Sequence, residues 1–227
     1  MTTSDTLAFY REHAQDYSRV SHDFLGQQYT DPSHPDISND RQILARLKAL
    51  APGKRGLDAG CGAGARDVFL LWQEGFDMTG VDAVPENIEE AVRRHPEIAG
   101  RVSVADLREP LPFPDASFDF VMCNAVIQHI PPDVIQNVTL PELARVLRSS
   151  GVLQLMFKNG RGVATVLDPD YGIRRSFRLY DEHKVAAILE DHRCRVLQPE
   201  SQGEPGGFMY VTDVKPMRYC VFHARKL

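Results

Sequence analysis

The chain has 227 residues, enough for one sizeable α/β domain with a full core. Hydrophobic residues make up 43% and charged residues 25%, with a net charge of −5. That balance disfavours a nucleic-acid duplex as the main partner, because such a partner needs a basic face. The longest nearly apolar run, "FDFVMCNAVI", is too short to span a bilayer, and the start, "MTTSDTLAFYREH", lacks the basic and apolar stretches of a signal peptide. Cys61, Cys123, Cys194 and Cys220 form no CxxC pair, so no metal site and no redox dithiol is expected. The expectation is a cytoplasmic protein with free thiols and a small-molecule partner, without nucleic acid or membrane; its oligomeric state stays open.

The first 37 residues are polar with scattered aromatics and predict one or two short helices, then a loop around "TDPSHPD". "SNDRQILARLKAL" follows with Ile43, Leu44, Leu47 and Leu50 at helical spacing, stopped by Pro52-Gly53. An alternation then begins. "KRGLDAG" predicts a buried strand, "ARDVFLLWQEG" a helix, "FDMTGVD" a strand and "PENIEEAVRRH" a helix with Pro85 at its first position. "RVSVAD" and "SFDFVMCN" predict strands three and four, and "PDVIQNVTLPELARVLRSSG" a helix interrupted at Pro141. "VLQLMF", "CRVLQPE" and "MRYCVFHARK" complete seven strands, with the helix "DEHKVAAILEDH" between the first two of these.

Strands alternating with helices mean a doubly wound, mostly parallel sheet. The last two strands are joined without a helix, so an antiparallel pair is expected at one edge of the sheet, with the last strand antiparallel. The predicted fold is therefore Rossmann-like α/β. Residues 1–37 form an N-terminal helical cap and residues 38–227 the ligand-binding domain.

Ligands in such a sheet sit at the carboxyl ends of the strands. "RGLDAGCGAGARD" places Gly60, Gly62 and Gly64 there, where the backbone turns tightly and approaches a ligand closely. These letters also satisfy the permissive dinucleotide fingerprint, and Asp82 lies near the offset of a ribose-binding acid, so a nicotinamide dinucleotide is one reading. Against it, Asp58 puts a carboxylate beside the loop, Asp106 adds a third acid at a third strand end, and the loop carries no lysine. Three acids suit a ligand with a sulfonium, an ammonium and a ribose diol better than a pyrophosphate.

"GLDAGCGAG", "GVDA", "VADL", "LPFPDASFDFVMCNAVIQHI" and "LPELARVLRSSGVLQLMF" together resemble the class I S-adenosylmethionine-dependent methyltransferases of small molecules, roughly over residues 40 to 160. "RSSG" departs from that family's usual turn, and Ala65-Arg66-Asp67 shifts the arginine that relatives often place directly after the last glycine. The resemblance implies S-adenosyl-L-methionine as cofactor. It implies that Asp58 contacts the methionine amino group and that Gly60, Gly62 and Gly64 line the methionine and ribose. Asp82, with Ala83 beside it, would take the ribose hydroxyls, and Asp106 with the Leu107 N–H the adenine. Asn124 and Ala125 would offer carbonyls to the ammonium, and Tyr17 would lean over the cofactor from the cap. An aromatic face near a sulfonium gains ~1 kcal/mol.

Methyl transfer needs the acceptor held in line, and a base only if the acceptor must lose a proton. His129, in "NAVIQHIPPD", is the base candidate, with His13 and His22 of the cap as alternatives. The absence of an Asn/Asp-Pro-Pro-aromatic motif after strand four argues against amino-methylation of nucleic-acid bases. The segment from Lys158 to Arg178 is net positive, with Arg161, Arg174, Arg175 and two aspartates. Arg174 or Arg175, with Tyr10 of the cap, would then bind an acceptor bearing a carboxylate or phosphate. The bland alternative pairs these arginines with the acidic cap. The function expected is methyl transfer to O or N of a small molecule; the alternatives are an NAD-dependent oxidoreductase and a cofactor-binding protein without turnover.

Overall fold

The structure, a computed structural model, describes residues 3–227, with side chains from residue 6 onward. Helices α1 (Thr3–Glu12) and α2 (Ala14–Phe24) precede α3 (Asp40–Leu50), whose start is capped by Asn39 accepting from the Gln42 N–H at 3.0 Å. The apolar spacing of α3 buries Ile43, Leu44 and Leu47. Then come β1 (Arg55–Ala59), α4 (Arg66–Gln73), β2 (Asp77–Asp82), α5 (Pro85–Arg94), β3 (Val102–Val104) and β4 (Phe118–Asn124). Short helices α6 (Pro132–Val134) and α7 (Leu140–Val146) lead into β5 (Leu147–Lys158). The rest is β6 (Gly162–Asp168), β7 (Ile173–Leu179), α8 (Glu182–Asp191), β8 (Cys194–Val196), β9 (Met209–Thr212) and β10 (Arg218–Lys226).

Seven strands lie side by side in the order β3-β2-β1-β4-β5-β10-β8. Strands β1 to β5 are mutually parallel, and β10 runs antiparallel to both β5 and β8. β4 is buried on both faces, as the interior of a helix-covered parallel sheet requires. Between β1 and β4 the strand order reverses, which opens a cleft at the carboxyl ends of these strands. Both N-terminal helices touch α5, and α2 also touches α4, so the pair lies across that cleft.

Three expectations need correction. An eighth strand, β9, joins the sheet by pairing with β10, in a stretch expected to be loop. The basic segment after β5 is not a plain connection but a second, two-stranded sheet, β6 with β7. Arg175 and Phe177 face inward on this hairpin while Val163 and Leu167 stay exposed, so its alternation faces the cleft and not the main core. The long helix before β5 breaks more than expected. A π-turn covers Ile135–Thr139, Pro141 stands in the first turn of α7, and "RSSG" already belongs to β5.

No helix among the described residues is long and apolar enough to cross a membrane.

Candidate active site

At the end of β1, the N–H groups of Gly60 and Cys61 both donate to the Val81 carbonyl, at 2.8 and 2.9 Å. Gly60, Gly62 and Gly64 all take positive φ, which glycine adopts without strain. A Cβ on Gly60 would stand 2.4 Å from Val126, and one on Gly62 would stand 2.9 Å from the Tyr17 ring. The loop is therefore in contact with helix α2 as well as with the sheet.

Asp82 closes the loop from β2. One carboxylate oxygen accepts from the Gly62 N–H at 3.0 Å, and the other from the Val84 N–H at 2.9 Å and Asn87 Nδ2 at 3.0 Å. Burial raises its pKa, and these three donors partly offset that rise. Its role in capping the entry to α5 is thus realised, and it also lines a cavity of about 90 Å³ together with Ala83, Asn87, Asp106, Leu107 and His129. The Asn87 Oδ1 atom is buried and has no hydrogen-bond partner. Asp106 in the same cavity is held by Arg108 through its backbone N–H and its guanidinium. Burial would raise the Asp106 carboxyl, but these bonds bring it below the ordinary range.

Tyr17 also lines a second cavity, of about 190 Å³, on its other side. Here Asp58 is 4% exposed, and no hydrogen bond reaches its carboxyl among the described residues. Burial, then Asp67 and Asp82, push its pKa well up, against the nearby Arg66. Arg66 is already engaged, at 2.6 Å to Asp67 and 2.8 Å to Asp40, and donates to the Ser21 carbonyl of α2. The cavity wall thus holds three acids around one arginine. Asn124 and Ala125 border it at the end of β4. Ala125 has φ of 57°, strained for a residue with a Cβ, and its carbonyl accepts from Gln128. The Asn124 side chain is fixed by Gln154, itself bonded to His223.

The acceptor-side residues are divided. Tyr10 Oη lies 3.1 Å from His129 Nε2 and accepts from Arg175 Nη2 at 2.8 Å. Burial, with the cations Arg175, Lys158 and Arg178, holds His129 near a pKa of about 3, so it is a neutral acceptor for the Tyr10 hydroxyl. Arg175 is 5% exposed, pairs with the fully buried Asp168 at 2.9 Å, and stacks 4.0 Å over the Phe9 ring. Arg174, one residue earlier on the strand, points the other way and is exposed. Arg175 thus pairs with an acid of its own hairpin and meets the cap only through Tyr10 and Phe9, not through the cap's acids, and neither arginine lines a cavity. Neither alternative base is free: His13 Nδ1 lies 2.9 Å from the Phe9 carbonyl, and His22 Nε2 lies 3.1 Å from His95 Nε2. Asn87, Gln154, Lys158 and Tyr219 were not singled out as site residues. Only the GxG-to-acid spacing hinted that a helix residue such as Asn87 stands beside Asp82.

Residues 57–155 match the methyltransferase domain family. This part of the chain is a class I S-adenosylmethionine-dependent methyltransferase domain. The domain is 34% identical, over 51% of the chain, to 2-methyl-6-phytyl-1,4-hydroquinone methyltransferase of Synechocystis sp., covering 35% of that protein. An O-methyltransferase of Aspergillus sclerotiorum is 30% identical over 68% of the chain and is covered to 61%. The chain thus spans between about a third and three fifths of these relatives. Among solved structures, the 1,6-didemethyltoxoflavin-N1-methyltransferase of Burkholderia thailandensis superposes with a TM-score of 0.64 at 23% identity, covering 99% of the chain and 86% of its own. That likeness shows the fold.

The residues of the methyltransferase domain fit S-adenosylmethionine. The orphaned Asn87 Oδ1 beside Asp82 suits a hydroxyl donor such as a ribose, and the unpartnered, buried Asp58 suits an ammonium group. The excess of buried acid over base suits a ligand that brings positive charge.

Proposed function

We propose that this chain transfers a methyl group from S-adenosylmethionine to O or N of a small molecule. The observation that carries the reading is Asp58, a buried carboxyl without a hydrogen bond, facing a cavity beside a glycine loop that has no basic residue for phosphate. A pyrophosphate there would meet Asp58, Asp67 and Asp82 together, which disfavours the dinucleotide alternative.

In this reading Asp82 and Asn87 hold the ribose, and Asp106 with the Leu107 N–H holds the adenine. Asp58 and the Asn124 and Ala125 carbonyls hold the ammonium. The bound cofactor supplies a methyl carbon activated by positively charged sulfur. The chain's own task is positioning: Tyr17 packs on Gly62 and separates the ribose side of the cleft from the side that Asp58 faces. Residues 1–37 act as a lid over both sides, fastened by Arg175 through Tyr10. Oxygen is the favoured acceptor atom, since the relative of Aspergillus sclerotiorum, 30% identical, is named an O-methyltransferase. Arg175 is occupied and Arg174 lies outside, so the acceptor proposed here is uncharged.

A thermal-shift comparison tests the cofactor. S-adenosylhomocysteine at about 100 times its Kd should stabilise the fold by ~2.7 kcal/mol, and NADH at the same concentration should do nothing. Stabilisation by NADH alone would overturn the reading.

A further inference from the structure

The second cavity continues past Asp58 and Ala125 to the far end of β5 and β10. Its walls there are Val20 and Phe24 of α2, Ile43 of α3, Met156 of β5, and the rings of Tyr29 and Tyr219. This is an apolar, ring-lined slot with polar atoms at its end. Tyr219 stands directly opposite Lys158 in the β10–β5 pairing. Lys158 Nζ lies 2.7 Å from Tyr219 Oη and 3.4 Å from Asp213, 4.2 Å from the Tyr219 ring centre and 4.5 Å from that of Phe177. Lys158 is 2% exposed. Asp213 is itself fixed by the N–H groups of Lys215 and Met217, at 2.9 and 3.0 Å. A lysine enclosed behind a tyrosine that faces a cavity is an unusual use of a buried charge, because an ammonium is costly to bury.

The cavity's other cations are spoken for. Lys215 sits between Asp168 at 3.1 Å and Asp170 at 2.9 Å, and Arg66 between Asp40 and Asp67. The wall is net acidic, which favours an acceptor that arrives uncharged, and an oxygen that loses its proton at Tyr219 is balanced by the Lys158 ammonium behind it.

Resting on the methyl-transfer reading above, we infer that this slot is the acceptor site, that it takes an uncharged molecule carrying a hydroxyl on an apolar or aromatic body, and that Tyr219, backed by Lys158, receives the hydroxyl proton. The acceptor hydroxyl gives its proton to Tyr219 Oη as Tyr219 passes its own to the neutral Lys158 amine. The acceptor oxygen bonds the methyl carbon, and the carbon–sulfur electron pair leaves with the thioether. Lys158 ends as an ammonium, which later loses its proton to water. Tyr219 is the catalytic residue and Lys158 a positioning residue that acts through it.

The electrostatics agree. The Lys158 pKa is lowered to about 8, by burial first and by Lys215 and Arg175, with Asp213 opposing them. The neutral His129 also faces this charge, and Tyr219 and Phe177 contribute ring faces. A minor fraction of the amine is then neutral near pH 7, and that fraction grows as pH rises toward 8. His129, by contrast, lines the cavity on the ribose side of Tyr17.

The test uses the full chain loaded with S-adenosylhomocysteine and 4-nitrophenol as probe, whose absorbance reports its ionisation. The wild type should bind the probe and ionise it at a pH at least one unit below that of free 4-nitrophenol. Tyr219→Phe should still bind it but lose most of that shift, and Lys158→Met or the milder Lys158→Gln should lose it too. Unchanged affinity for S-adenosylhomocysteine certifies each variant as folded. Absence of probe binding, an unshifted bound probe, or a shift that survives Tyr219→Phe overturns the acceptor assignment. A wild type that fails to bind S-adenosylhomocysteine overturns the broader reading instead.

Discussion

The two cavities on either side of Tyr17 are built differently. The acid-bearing wall of the ribose-side cavity is assembled from neighbours in sequence, while Tyr10, Tyr17 and His129 close it from distant elements. Asp82, Val84 and Asn87 fall within one strand-to-helix turn, Asp106 and Arg108 within another, and the loop glycines precede both. The slot beyond Tyr17 is assembled from α2, α3, β5 and β10, elements up to two hundred residues apart. The first rests on local motifs, and the second on tertiary packing.

Four substitutions break or sharpen that contrast. The largest effect belongs to the local motif. Asp82→Ala removes the ribose carboxylate and strands the Gly62 and Val84 N–H groups and Asn87. Charge-assisted bonds are worth ~1.5–3 kcal/mol each, so the affinity for S-adenosylhomocysteine should fall by a hundredfold or more in calorimetric titration. An unchanged Kd would remove Asp82 from the cofactor site.

Arg175→Ala acts on the packed side. It unfastens Tyr10 and α1 and leaves Asp168 with Lys215 alone. Denaturant unfolding should show a loss somewhat below the ~3–5 kcal/mol of a broken buried pair, because Lys215 remains. Arg174→Ala, on the exposed face of the same strand, should change stability by less than ~0.5 kcal/mol. Equal losses in the two variants would sink the latch.

At neutral pH the last effect vanishes, because it is a pH dependence. His129 is held near 3 in the folded chain against an ordinary 6.5. Below 6.5 the unfolded chain takes up a proton that the folded one refuses. Stability is therefore complete above 6.5 and declines as pH falls toward 3, by at most ~1.4 kcal/mol per pH unit. His129→Gln should flatten the acid side of the melting-temperature profile. It should leave neutral-pH methyl transfer without any inflection near 6.5, in the wild type as in the variant.

What was legible follows the same division. The alternation of strands and helices, the switch point and the acids at three strand ends rest on short-range patterning, and local backbone chemistry enforces it. The basic segment after β5 was visible as charge but not as structure. Ile173, Phe177 and Leu179 alternate with Arg174, Ser176 and Arg178 there, but Arg175 interrupts the apolar face, which is completed by packing on Met156, Met209 and Tyr219 and on Phe9 of α1. A two-residue period then sends Arg175 inward and Arg174 outward, so adjacent arginines with the same chemistry meet opposite environments. Lys158 counts in the sequence only as one charge of a net-positive segment, and the pairing of β10 with β5 sets Tyr219 against it.

By itself, then, the sequence determined the sheet, the glycine turn and the three carboxylates beside it, because these depend on neighbours within a few residues. Only the tertiary structure decided which basic side chains are buried, which are neutralised, and what stands at the end of the acceptor slot. Strand pairing across the whole chain sets those distances, and no local pattern encodes a partner sixty residues away.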